Sequence, residues 1–104
     1  MAVKAKGNLL DACRAALRIP DYVNDYDDEI ADAIAAARAE MVAGGVSPEK
    51  ANDDADGRVR LAVRVYVKAS FGMDNPDSEK LMRSFDCMLT SMSGDSAYNG
   101  GGAS

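Results

Sequence analysis

The chain contains no histidine. The commonest general base is therefore missing, and so are the nitrogen ligands of an ordinary zinc site. Its two cysteines, Cys13 and Cys87, lie far apart in sequence with no other soft ligand beside either. Both fall at apolar positions of predicted helices, where a free thiol packs as a small hydrophobe. The expectation is two reduced cysteines, which suits a cytosolic compartment. No window approaches the roughly 20 apolar residues of a membrane span. The opening MAVKAKGNLL lacks the apolar core of a signal peptide. The expectation is a soluble chain with no membrane partner, made and used in a cytoplasm.

No catalytic constellation emerges. Ser70, Ser84 and Ser91 lie within predicted helices, and spacing suggests no partner base. The glycines that follow Asn99 have no strand before them and no helix after them, so they do not form a phosphate loop. The acidic runs Asp21, Asp25, Asp27, Asp28, Glu29 and Asp53, Asp54, Asp56 lack the spacing of a calcium loop. They read as solvated helix starts. The sequence predicts no catalytic residue, no metal and no cofactor, and hence no enzyme.

What the chain does have favours helices. Its 104 residues make one domain the default, and 47% are apolar while only 6% are aromatic. So short a chain buries a modest fraction of its surface, and self-association would add stability. The net charge of −5 argues against a free-standing nucleic-acid binder and keeps a subunit soluble until it meets a partner.

Asn8 can cap a first helix with Leu9, Leu10, Cys13, Ala16 and Leu17 on one face, ended by Pro20. Asp27, Asp28 and Glu29 then crowd the start of a second helix, where acids suit the dipole. Ile30, Ala33, Ile34, Ala37 and Met41 repeat along it, and Gly44-Gly45 stops it. Ser47-Pro48-Glu49 predicts a short helical turn with proline in first position.

The next segment is ambiguous by pattern. Val59, Leu61, Val63, Val65 and Val67 alternate with Arg60, Ala62, Arg64, Tyr66 and Lys68. That period of two and its β-branched content describe an amphipathic strand. The same residues put Arg60, Arg64 and Lys68 on one helical stripe. A strand needs a partner and no other segment reads as one, so the expectation is a central helix from about Asp54 to Phe71, stopped by Gly72. Asn75-Pro76-Asp77 starts a last helix whose face carries Leu81, Met82, Phe85, Met88, Leu89 and Met92, ended by Gly94. The expected fold is all-α: a bundle of about four helices over residues 1–94 and a flexible glycine-rich tail over 95–104.

Three groups are candidate subunit contacts. The acidic group is Asp27, Asp28 and Glu29, and the basic group is Arg60, Arg64 and Lys68. Acids and bases could pair within the chain or with a neighbour, the basic stripe could meet phosphates, or it could be a wet helix face. Met82 and Met88 form the third group, as core filler or as an adaptable contact surface.

The segment from Arg58 to Asp77 resembles the third-helix and turn region of head–tail connector proteins of long-tailed bacteriophages and prophages. Tyr66-Val67-Lys68-Ala69, Phe71-Gly72 and Asn75-Pro76-Asp77 carry most of that likeness. Leu9-Leu10-Asp11, Ala16-Leu17-Arg18-Ile19, Asp27-Asp28-Glu29-Ile30, Ala35-Ala36, Ser84-Phe85 and Leu89 follow in the same order. The resemblance implies a small helical bundle, helical at Arg58 to Phe71. It also implies copies assembled into a dodecameric ring beneath the portal protein at the capsid vertex. Such a ring joins the head to the tail or to a stopper protein, and genomic DNA crosses its channel without sequence-specific binding. The place implied is the capsid–tail junction of a virion, assembled in the bacterial host cytoplasm. Two other readings remain: a helical adaptor of another system, and a β-ribbon DNA-binding module presenting Arg60, Arg64 and Lys68 to a groove.

Overall fold

A computed structural model describes residues 9–20, 25–71 and 76–100. Five helices follow one another: α1 Leu9–Ala16, α2 Asp27–Ala43, α3 Pro48–Ala51, α4 Gly57–Ser70 and α5 Ser78–Ser93. No strand occurs among the described residues. The predicted all-α bundle is the fold, and the short α3 is the helical turn expected at Ser47.

The ambiguous segment is the central helix. Val59, Ala62, Val63, Val67 and Ala69 of α4 are buried, and α4 packs against α1, α2 and α5. The valines alternate in sequence but only some of them point inward, because helical spacing sorts them. Leu61 is turned outward and 46% exposed. The helix starts at Gly57 rather than near Asp54, because the Asp56 carboxylate caps it. That side chain accepts from the backbone N–H of Arg58 at 2.9 Å and of Val59 at 3.0 Å.

Other boundaries have similarly local causes. Ser47 Oγ accepts from the Lys50 N–H at 3.2 Å, and Pro48 takes the first turn of α3. At the end of α2, Gly45 has φ +115°. Its N–H donates to Val42 O at 3.1 Å, and the Val46 N–H donates to Met41 O at 2.9 Å. This is a Schellman stop, and it tucks Val46 into the core beside Met41.

The first helix ends earlier than Pro20 suggests. Arg18 has φ +63°, and the Ile19 N–H donates to Arg14 O at 2.9 Å. The same stop is made here with arginine in the left-handed position, so the helix closes at Ala16. The expected caps Asn8 and Asn75 and the stop Gly72 lie outside the described residues.

The core gathers Leu9 and Cys13 of α1, Ile30, Ile34, Ala37 and Met41 of α2, the α4 valines, and Phe85 and Met92 of α5. The Tyr66 and Phe85 rings meet edge-on at 5.0 Å, which fixes α4 on α5. The packed chain also runs further than the expected domain end at 94. Residues 95–100 form turns, and Tyr98 is only 9% exposed. Its carbonyl accepts from the Ser47 N–H at 2.8 Å. A lone aromatic among glycines and serines is enough to anchor that stretch.

Candidate assembly interface

Each aspartate of the run before α4 has its own structural role. Asp53 accepts from the Ala55 N–H at 3.1 Å and from Lys50 Nζ at 3.3 Å. Asp54 pairs with Arg38 of α2 at 2.8 Å. Asp56 caps α4 and also accepts from Lys50 Nζ at 3.1 Å and the Tyr98 hydroxyl at 2.9 Å. Asp53 and Asp56 thus share the Lys50 ammonium, while Asp54 turns away to Arg38 of α2.

Asp56 is the hub of a polar clasp. Lys50 Nζ and the Arg58 guanidinium stand 5.0 Å and 4.7 Å from the Tyr98 ring centre. Arg58 continues to Ser91 Oγ at 2.7 Å and Asp95 at 3.3 Å. Burial pushes the Asp56 pKa up, but the Val59 N–H, Lys50 and Tyr98 outweigh it and hold the carboxyl below its ordinary value. Burial, then the Asp56 carboxylate, raises the Tyr98 pKa, and the hydrogen bond to Asp56 raises that of Lys50. The sequence hid this site because its members come from three separate segments.

The candidate basic stripe divides. Arg60 lies inward and donates to Asp54 O at 3.2 Å. Arg64 is half-buried, and its buried Nε finds no acceptor among the described residues. Both guanidiniums lie near Cys13 of α1 and lower its pKa, yet burial dominates and holds that thiol near 11. Cys13 is therefore a neutral core group. Lys68, by contrast, is exposed.

The candidate acidic group divides too. Asp27 is half-buried and accepts from Arg14 Nε of α1 at 3.0 Å. Within the chain, an α1 arginine meets the start of α2. Asp28 and Glu29 are exposed. Met82 and Met88 are both half-buried on α5, about 120° apart around it because six residues separate them. They flank the buried Phe85 on opposite sides.

Met88 belongs to a groove between α4 and α5, lined by Arg58, Leu61, Cys87, Met88, Ser91 and Met92. Leu61 and Cys87 are exposed on it, and Cys87 is a free thiol. The sequence places Cys87 at a packed apolar position, and α5 instead turns it outward; Leu61 carries no expectation of exposure. The signal available for Leu61 was its place, on a helix reading, opposite the inward valines. A second exposed aliphatic, Val42, is 40% exposed at the end of α2.

The described residues define a class by their form: a small all-α bundle that leaves aliphatic side chains exposed on two of its helices. The comparison with known families gives that class a name. The chain belongs to the phage connector protein family, whose model it matches over residues 9–99. No curated protein and no solved structure matches it.

Proposed function

We propose that this protein is a head–tail connector subunit whose copies form a ring beneath the portal of a phage capsid. In that place it joins the head to the tail or a stopper protein and surrounds the channel that DNA crosses. The observation that carries the reading is the family match across nearly the whole helical bundle. The physical character of the surface agrees with it. A ring subunit needs unlike contact patches that close by rotation, and the two exposed aliphatics lie on different helices. The protein is read as structural rather than catalytic. Its net charge of −5 lets phosphate pass a lumen of the same sign without sticking.

The test is a mass measurement of the purified protein, alone and with a phage portal protein. A multimeric ring, free or portal-bound, is the expected result. A strict monomer that never binds the portal overturns the reading.

A further inference from the structure

Resting on the connector reading, we infer that neighbouring copies join by laying the outer face of α2 from one copy into the α4–α5 groove of the next. The inner face of α2 (Ile30, Ile34, Ala37 and Met41) is already spent in the core. Its outer face is Asp28, Asp32, Ala35, Ala39 and Val42, all exposed and spaced four, three, four and three residues apart. That spacing keeps them on one side of a helix. The stripe begins acidic and ends apolar, and its alanines let a second helix approach closely.

The groove has the matching order. Its apolar part is Leu61 on α4 with Cys87 and Met88 on α5. Lys68 lies seven residues beyond Leu61, and Lys80 seven residues before Cys87, both exposed. Seven residues return to the same helix face about 10 Å along the axis. Asp32 and Ala39 are also seven residues apart, so acid meets base where alanine meets Leu61. One orientation satisfies this: the incoming α2 runs antiparallel to α4 and parallel to α5. Each copy offers one of each patch, so the contact is head-to-tail and repeats around a ring. Val42 and Leu61 are then both covered.

Cys87 makes the contact testable in the full-length protein. Its thiol is exposed while Cys13 is buried and protonated. The variant Ala39→Cys is assembled at high concentration or on the portal protein, then treated with the thiol oxidant diamide and run without reductant. A ladder of dimers, trimers and larger species is expected. The unsubstituted protein and Ala39→Cys/Cys87→Ser should stay monomeric on the same gel. A dimer formed by Ala39→Cys/Cys87→Ser would mean a symmetric α2–α2 contact and would overturn the inference. Asp32→Lys should weaken self-association roughly tenfold, and adding Lys80→Asp should restore it. Assemblies of full mass with no ladder overturn this docking and leave the connector reading standing. Failure to assemble even with portal overturns both.

Discussion

Two sides of α4 carry similar residues to different ends. Towards α1 and α2, Arg60 reaches a backbone carbonyl and Arg64 lies against Cys13, while Val63 and Val67 are fully enclosed. Towards the α5 groove, Leu61 stands in solvent and Lys68 is exposed. Arginines and aliphatics occur on both sides, so residue type does not separate them. What separates them is whether a neighbouring helix of the same chain covers that angle of α4. The covered side holds the subunit together, and the open side is the one proposed to meet another copy.

Breaking the end that both sides share should have the largest effect. Asp56→Ala removes the acceptor for two backbone N–H groups and leaves the Tyr98 hydroxyl and Lys50 without it. A loss of about 3 kcal/mol is expected from cap and hydrogen bonds together, read as a lower urea midpoint. Residues 95–100 should also become open to protease. An unchanged midpoint would mean the clasp adds nothing.

The contrast sharpens with a pair of truncations two residues apart. Val63→Ala opens a cavity in the core and should cost about 2 kcal/mol. Leu61→Ala removes a larger side chain but should stay within about 0.5 kcal/mol of the parent, while lowering the assembled mass fraction. Equal destabilisation by the two would show that Leu61 is not open in the subunit.

Much of this contrast could be read from sequence, and the part that could not has a physical cause. The helices and their faces follow from apolar spacing, and Ser47-Pro48 and Gly44-Gly45 mark boundaries by local chemistry. The period-two run from Val59 to Val67 reads as strand or helix, and the lack of a pairing segment, with the family resemblance, decides for helix. The stop at Arg18 had no sequence signal, because a non-glycine residue in the left-handed region is set by the chain around it. The inward turn of Arg60 and Arg64 depends on where α1 lies, which spacing within α4 does not contain. The Tyr98 clasp joins residues 42 positions apart, a pairing only the folded chain specifies.

Arg64 offers a smaller test of the covered side. Its Nε is buried without an acceptor among the described residues, and its side chain is half-buried. Arg64→Met keeps the aliphatic stem and removes the orphan donor, so stability should hold or rise by about 1 kcal/mol. Arg64→Ala loses the stem as well and should fall below the parent. Thermal midpoints of the two variants check this, and a fall with methionine equal to that with alanine would show that the charge itself stabilises α4.

The smallest effect is the pH dependence of the clasp, and its sign follows from the direction of each shift. Asp56 titrates below its ordinary value of 3.8 in the fold. Its contribution is complete above that value and fades as pH falls through the lower, folded one. Tyr98 and Lys50 titrate above their ordinary 10.0 and 10.5. Their contributions are complete below those values and fade as pH rises through the folded ones. Tyr98→Phe removes the hydroxyl and should cost about 1 kcal/mol on the plateau between. The gap in thermal midpoint between parent and variant should therefore be constant from about pH 5 to 9 and close towards both ends. A gap that widens below about pH 4 would mean that protonating Asp56 strengthens its bond to Tyr98, which the lowered carboxyl forbids.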